Sequence, residues 1–211
     1  FDGNTRKVID MLALAEREHA HSVVVFPELT LSGYPPEDLL LRPSIGVRVT
    51  QALATICAAM SGSAYAIIGY PLREDGALYN VAGVLHRGAI VAQYRKQYLP
   101  NYQVFDEKRY FSAGSEPCVV NIEGVRVGLS ICEDIWEEAP ATQAAQAGAQ
   151  LLLNINSSPY HRGKRSGHGL HRCDRRGLAL LGERGIDVDI RLLQRGGERG
   201  HDQGGQPDGG D

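Results

Sequence analysis

The sequence predicts an α/β fold in which helices pack outside a sheet. Residues 4–19 place apolar side chains at helical spacing, whereas residues 65–70 and 151–156 are short apolar runs typical of buried strands. Two further pairs of segments are each separated by a dipeptide that ends in Gly, which is typical of β-hairpins. Helices and strands therefore alternate along the chain, as an α/β fold requires.

The first part of the chain is predicted to hold two long helices with a strand between them. Residues 4–19 form the first helix, for which Asn4 is a suitable N-cap. Residues 22–26 form a buried strand. A short helix opens at residues 35–38, where acidic side chains suit the helix dipole, and a second amphipathic helix covers residues 48–60.

Two β-hairpins, a helix and a last buried strand are predicted beyond residue 70. The first hairpin turns at Arg87-Gly88 and the second at Glu123-Gly124. A segment rich in Ala and Gln then forms the helix. The predicted ranges are 79–86 and 89–96 for the first hairpin, 119–122 and 125–131 for the second, about 140–148 for the helix and 151–156 for the strand.

The composition excludes several classes of function. The 211 residues have room for one core and carry a net charge of −3, so no nucleic-acid partner is expected. No apolar run approaches the roughly 20 residues of a membrane span. The four Cys residues are scattered and no signal peptide is visible, which favours the cytoplasm. Residues 168–173 have metal-binding side chains but lack a fourth ligand, so no metal site is predicted.

Three polar residues stand at the ends of predicted strands, where catalytic groups are often held. Cys132 follows the strand over residues 125–131 at a strand-to-helix turn, beside backbone N–H groups that lack helical partners. Glu28 follows the first predicted strand, and Lys96 ends the first hairpin. Taken singly, each has an ordinary alternative: a buried structural thiol for Cys132, and solvated or capping charges for Glu28 and Lys96.

Five motifs occur in one order along the chain: FPEL to GYPPEDLL (26–40), RKQYLPNY (95–102), FDEKRYF (105–111), CEDIW (132–136) and NSSPYHRGK (156–164). Together they resemble the nitrilase (carbon–nitrogen hydrolase) superfamily, and within it the glutaminase domain of glutamine-dependent NAD+ synthetases. The resemblance implies a nitrilase-like α-β-β-α sandwich with two facing sheets. Because the family has a further strand before this match and more elements after it, the fold is expected to be incomplete at both ends.

The resemblance implies a role for each strand-end residue in hydrolysing an amide. Cys132 is expected to be the nucleophile, and Glu28 the base that accepts the thiol proton and passes it to ammonia. Lys96 would favour the thiolate by its charge and, with the backbone N–H of Glu133, stabilise the oxyanion. Glu107 is expected to orient the lysine and the substrate amine; without the resemblance, a solvated charge run is an equally good interpretation.

Five further positions are expected to bind the substrate, L-glutamine. Tyr34, Tyr102 and Ser158 would hydrogen-bond its α-amino and α-carboxylate groups, and Lys164 would offset the carboxylate charge. Trp136 is expected to form a wall of the pocket. Each Tyr could instead be a packed residue whose hydroxyl is satisfied elsewhere.

A sharp change of composition marks the end of the predicted glutaminase domain, residues 1–164. Residues 165–211 contain twelve of the 25 Gly residues and no Phe, Tyr or Trp. They match nothing in the family, carry no strand signal and offer only weak helix fragments at 178–181 and 186–193. We expect this tail to be mostly disordered, and its Arg, Gly and Asp content suggests translation in a shifted reading frame.

The function implied by the resemblance is that of a glutamine amidohydrolase. It would release ammonia for a synthetase domain that amidates nicotinic acid adenine dinucleotide and that this chain lacks. The glutaminase step needs no cofactor, and ATP and Mg2+ would serve only the synthetase domain. A homo-oligomer is expected for the full-length protein. Two alternatives stay open at this point: a stand-alone amidase of the same superfamily, and an inactive truncated remnant.

Overall fold

The computed structural model describes residues 1–19, 22–102, 105–157 and 178–180. Within these ranges the chain forms three α-helices and eight strands, with three short 3₁₀ helices between them. The helices are α1 (Asp2–Glu18), α2 (Ser44–Ala59) and α3 (Glu138–Gln146). The strands are β1 (Val23–Val25), β2 (Tyr65–Glu74), β3 (Ala77–His86), β4 (Ala89–Arg95), β5 (Val119–Ile122), β6 (Val125–Ile131), β7 (Leu151–Ile155) and β8 (Leu178–Leu180); the 3₁₀ helices are Glu37–Leu41, Glu107–Arg109 and Cys132–Trp136.

The first sheet has the strand order β1-β2-β3-β4. Strand β1 pairs in parallel with β2, and the other pairs are antiparallel. The predicted turn at Arg87 and Gly88 is confirmed: both residues have positive φ (48° and 77°), as a type I′ hairpin requires. The sequence analysis missed a second hairpin in this sheet. Strand β2 continues to Glu74 and turns into β3 at Asp75 and Gly76, a dipeptide that favours this turn.

The second sheet has the order β5-β6-β7-β8 and contains the predicted hairpin at Glu123 and Gly124. Strand β6 pairs in parallel with β7, and β7 pairs antiparallel with β8. The prediction of a helix fragment and no strand at 178–181 is wrong for residues 178–180. The edge of β7 offers unpaired backbone groups there, and pairing with them outweighs a weak helical propensity. The second predicted fragment, 186–193, lies outside the described residues.

The two sheets face each other across a shared apolar core. Ile67, Val84 and Tyr94 of the first sheet belong to the same buried cluster as Leu129 and Leu153 of the second. Helices α1 and α2 cover the outer face of the first sheet in a separate apolar cluster. Helix α3 covers the outer face of the second sheet. The expected α-β-β-α sandwich is therefore confirmed.

Helix α3 approaches its sheet closely because one strand residue has no side chain. A Cβ on Gly128 of β6 would lie 3.1 Å from the Cβ of Ala144 on α3. Ala144 is buried, and it is the small side chain that the helix presents at this point. These two small residues therefore set the distance between α3 and β6, the strand that precedes Cys132.

The helix starts differ from their predicted positions. Asn4 is not an N-cap, because α1 begins at Asp2 and the Asn4 Nδ2 donates instead to the carbonyl of Leu31 (3.3 Å). Helix α2 begins at Ser44, four residues before the predicted start, directly after Pro43. No helix in the described part of the chain is both long and apolar enough to cross a membrane.

Candidate active site

Three of the predicted catalytic residues form one buried ionic cluster. The Nζ of Lys96 donates to Oε1 of Glu28 (2.8 Å) and to both carboxylate oxygens of Glu107 (2.9 Å each). Lys96 is completely buried, and Glu28 and Glu107 are 1% and 5% exposed. An unpaired buried charge is costly. The hydrogen bonds of Lys96 to both carboxylates offset this cost.

Glu28 is positioned by a close approach between the backbone around it and Gly69 of β2, which has no side chain. It follows β1, and the next residue, Leu29, has a left-handed φ of 50°. A Cβ on Gly69 of β2 would lie only 2.4 Å from the Leu29 nitrogen, so glycine is required there. At the end of β7, Ser157 donates its hydroxyl to the Glu28 carbonyl (2.9 Å) and its N–H to Oε2 (3.2 Å).

Lys96 is held on both sides by backbone hydrogen bonds just after β4. Its N–H donates to the Asn80 carbonyl, and its carbonyl accepts from Gly114, both at 2.8 Å. Burial lowers the pKa of Lys96, but the carboxylates of Glu28 and Glu107 outweigh this and raise it above its ordinary value. Lys96 is therefore an ammonium ion, able to donate hydrogen bonds but not to act as a base near neutral pH.

Glu107 opens the short 3₁₀ helix Glu107–Arg109 and points its carboxylate inward. Burial raises its pKa from 4.5 to about 7, although Lys96 opposes the shift. The nearby charge of Glu28 adds to the increase, because one lysine cannot fully compensate two carboxylates. Near neutral pH, Glu107 therefore exchanges between its acidic and ionised forms.

Cys132 lies where β6 ends and the 3₁₀ helix Cys132–Trp136 begins. Its φ of 47° is left-handed, which is uncommon for a residue other than Gly and often marks a functional position. Cys132 is buried, and its thiolate form is among the causes that raise the pKa of Lys96, Tyr34 and Tyr102. Cys132 is thus within electrostatic range of the ionic cluster. Glu133 is the second residue of this helix, and the role of its N–H stays a prediction.

The predicted tyrosines lie beside this cluster on the loops that lead into it. Tyr34 is half-buried, with its ring 6.5 Å from that of Phe105. Its pKa is raised by burial and by the nearby carboxylates. Tyr102 is 50% exposed and donates its hydroxyl to both carboxylate oxygens of Glu133 (2.9 and 3.0 Å), and burial together with this contact raises its pKa to about 12.

An open cavity of about 270 Å³ extends from this side of the cluster. Tyr34, Phe105 and Glu107 line it, whereas Glu28, Lys96 and Cys132 do not, so Glu107 is the one member of the ionic cluster that the cavity reaches. Trp136, by contrast, is 47% exposed at the end of its 3₁₀ helix and does not line this cavity. Its assignment to a pocket wall stays a prediction. Ser158 and Lys164 lie outside the described residues.

The sequence analysis missed three residues that contact the cluster or the segments around it. Asn80 of β3 is fully buried and donates its Nδ2 to Oε1 of Glu28 (2.8 Å). Ser157 and Asp134 also hold catalytic segments in place through hydrogen bonds. A polar residue in an otherwise apolar strand was the available signal for Asn80. Asp134 sits inside the CEDIW motif, but its partners are not evident from the sequence.

Comparisons with known proteins identify the family of the chain. A model of the carbon–nitrogen hydrolase family matches residues 1–182. The glutamine-dependent NAD+ synthetase of Xanthomonas campestris is 50% identical over 163 residues, which are 76% of this chain and 29% of that relative. That of Aquifex aeolicus is 42% identical over 168 residues, 78% of this chain and 29% of the relative.

Solved structures show the same likeness. The glutamine-dependent NAD+ synthetase of Acinetobacter baumannii has a TM-score of 0.73 at 40% identity, covering 77% of this chain and 31% of that one. An amidase from Nesterenkonia sp. shares the fold, with a TM-score of 0.69 at 23% identity over 79% of this chain and 63% of that one. The chain thus spans less than a third of the length of the synthetases that it matches.

Proposed function

The chain belongs to the carbon–nitrogen hydrolase family, and we propose that it is the glutamine-hydrolysing part of a glutamine-dependent NAD+ synthetase. The observation that carries the proposal is the buried cluster of Glu28, Lys96 and Glu107, which lies within electrostatic range of Cys132 at the end of β6. The identity to glutamine-dependent NAD+ synthetases supports L-glutamine as the substrate. The remaining synthetase activity belongs to the part of those relatives that this chain does not span.

The first step is attack by the Sγ of Cys132 on the side-chain amide carbon of glutamine. Glu28 accepts the thiol proton as the carbon–sulfur bond forms, and the carbonyl becomes an oxyanion. Lys96 and the backbone N–H of Glu133 donate to that oxyanion. Glu28 then passes its proton to the amide nitrogen, so the carbon–nitrogen bond breaks and ammonia leaves a glutamyl thioester.

The second step returns the enzyme to its starting state. Glu28 removes a proton from a water molecule, whose oxygen attacks the thioester carbon. The carbon–sulfur bond breaks, Cys132 recovers the proton, and glutamate is released. Lys96 stabilises the second oxyanion in the same way as the first, so one arrangement of donors serves both steps.

The two oxygens of Glu28 are suited to different tasks in this mechanism. Oε1 accepts from both Lys96 and Asn80, each at 2.8 Å. Oε2 accepts only one longer contact among the described residues, from the N–H of Ser157 at 3.2 Å. An oxygen with fewer donors keeps more of its basicity, so we assign proton transfer to Oε2.

Substrate recognition is assigned to Tyr34, which lines the cavity, and to four further residues. Tyr34 lines the cavity, while Tyr102 reaches the carboxylate of Glu133 beside the nucleophile. We assign to these hydroxyls the hydrogen bonds to the polar end of the amino-acid substrate. Ser158 and Lys164 keep their proposed roles toward the α-carboxylate, and Trp136 its role as a pocket wall.

The proposed reaction uses side chains and backbone groups of the chain together with one water molecule. Among the described residues, no three His, Cys, Asp or Glu side chains are grouped so as to hold a metal ion. ATP and Mg2+ are assigned to the synthetase domain, the partner that would use the ammonia. We propose a cytoplasmic location and assembly into a homo-oligomer for the full-length protein.

The test is ammonia release by the purified chain from L-glutamine and from a panel of other small amides. We expect release from glutamine, with Cys132→Ala as the inactive control. A stand-alone amidase, the second candidate because of the shared fold of the Nesterenkonia protein, would prefer another amide. Absence of any release, with a Cys132 thiol whose alkylation is insensitive to Glu28→Gln and Lys96→Ala, would identify an inactive chain.

A further inference from the structure

Asp134 is a buried carboxylate to which the mechanism above assigns no role. It lies two residues after Cys132 in the same 3₁₀ helix and is 0% exposed. Burial raises its pKa, while its hydrogen bonds and the nearby charge of Lys96 lower it. A fully buried carboxylate needs several hydrogen-bond donors to offset its loss of solvation.

Four donors from two sheets converge on this carboxylate. Oδ1 accepts the backbone N–H groups of Gln97 (3.1 Å) and Tyr98 (2.8 Å), the two residues directly after Lys96. Oδ2 accepts the hydroxyl of Tyr94 on β4 (2.9 Å) and the N–H of Ile131 on β6 (3.0 Å). Each oxygen therefore holds two donors, and all contacts have good hydrogen-bond distances.

These contacts bracket the two reactive residues. Tyr94, Gln97 and Tyr98 lie on both sides of Lys96, at the end of the first sheet. Ile131 and Asp134 itself lie on both sides of Cys132, at the end of the second sheet. Hydrogen bonds to the Asp134 carboxylate thus connect the segment around Lys96 (residues 94–98, the lysine segment) to the turn around Cys132 (residues 131–134, the cysteine turn).

A second connection between the two sheets holds Glu28 rather than Lys96. Ser157 at the end of β7 holds the backbone and one oxygen of Glu28 at the end of β1. The hydrogen bonds of Lys96 to Glu28 and Glu107 connect the amine to these two carboxylates. The contacts of Asp134, unlike those of Ser157, join the lysine segment to the cysteine turn.

We propose that Asp134 is a positioning residue that holds Lys96 against Cys132 across the two sheets. This role rests on the proposed chemistry of Cys132 and Lys96. It requires a carboxylate, because an amide would bring its own N–H₂ group against the converging donors. Asp134→Asn therefore keeps the shape of the side chain but forces the two segments apart.

The test is a double-mutant cycle read by the rate of alkylation of Cys132 with iodoacetamide. The four proteins are the full wild-type chain, Lys96→Met, Asp134→Asn and the double variant. Mass spectrometry of the Cys132 peptide gives its rate, and the Cys57 peptide in the same sample serves as an internal reference. Because the readout needs no glutamine, it is independent of turnover.

We expect Lys96→Met and Asp134→Asn each to slow alkylation of Cys132 by about tenfold, the effect of losing one hydrogen bond to a charged group. In the Lys96→Met background, Asp134→Asn should add less than about a twofold effect, since there is no longer an amine to position. Equal slowing in both backgrounds, or none in either, would overturn the proposal. If Lys96→Met alone leaves the rate unchanged, the proposed chemistry of the cluster fails instead.

A matched control separates positioning from general loss of stability. Asn154 is also buried and donates its Nδ2 to the Ser130 hydroxyl (3.0 Å), but both residues lie in the second sheet. Asn154→Ala should lower the thermal stability and leave the alkylation rate within about twofold. If it slows alkylation of Cys132 as much as Asp134→Asn does, Asp134 is merely structural.

A second variant covers the case in which Asp134→Asn shows no cooperative unfolding. Tyr94→Phe, which removes one of the four donors, then takes its place in the cycle, and we expect it to slow alkylation of Cys132 by about threefold.

Discussion

Replacing Glu107 by Gln should change how the stability of the protein depends on pH. The pKa of Glu107 is raised from 4.5 to about 7 in the folded state. Between these values the folded state keeps a proton that the unfolded state releases, so the free energy of unfolding falls as the pH rises. This pKa difference of about 2.5 corresponds to about 3 kcal/mol, which is lost by about pH 8.

Glutamine cannot ionise, so the Glu107→Gln variant lacks this loss. Its free energy of unfolding, measured relative to the wild type, should rise by about 3 kcal/mol between pH 4.5 and pH 8. Urea unfolding at several pH values measures this, with the fluorescence of Trp136, the one tryptophan of the sequence, as the signal. The exposed Glu116 provides the control, since Glu116→Gln makes the same change in net charge.

The result that would refute this reasoning is a constant stability difference between wild type and Glu107→Gln over the whole range. It would mean that Glu107 titrates alike in the folded and unfolded states, and that Lys96 fully compensates its burial. A difference with the opposite slope would mean that Lys96 lowers the pKa of Glu107 below its ordinary value.

Three other substitutions test the surroundings of the site. Asn80→Leu removes a hydrogen-bond donor to Glu28, so glutamine hydrolysis should fall by roughly 10- to 100-fold, and unchanged steady-state rates would contradict the contact. Gly69→Ala places a methyl group 2.4 Å from a backbone nitrogen and should destabilise the fold by about 1–3 kcal/mol; a thermal unfolding midpoint equal to the wild type would contradict this close approach. Tyr102→Phe removes the hydrogen bonds to Glu133 and should raise KM for glutamine by roughly three- to tenfold with kcat nearly unchanged, whereas a fall in kcat alone would argue against a binding role.

Much of the secondary structure could be predicted because it depends on neighbouring residues. The turn dipeptides Arg87-Gly88 and Glu123-Gly124 have the left-handed conformations that a type I′ hairpin needs. The dipeptide Asp75-Gly76 carries the same signal, but β2 continues to Glu74, beyond the apolar run at residues 65–70 that predicts this strand. The strand over 178–180 could not be predicted in this way, since it forms by pairing with β7 rather than from its own residues.

The predicted site residues were found from an ordered set of motifs, and the structure brings Glu28, Lys96 and Glu107 into contact. Their hydrogen-bond partners were beyond such reasoning. Asn80 and Glu28 are 52 residues apart in sequence, and Ser157 and Glu28 are 129 apart. Which polar groups meet at such separations depends on the register of each sheet and on how the two sheets face each other.

The sequence by itself determined the order of helices and strands, the turns between them and the acid, amine and thiol at strand ends, because periodicity and turn chemistry are local properties. Tertiary structure alone decided that Lys96 shares two buried carboxylates and that Asp134 joins the lysine segment to the cysteine turn. The reason is physical: burial and the convergence of distant donors set the charge state and the aim of these groups, and both arise only when the two sheets pack together.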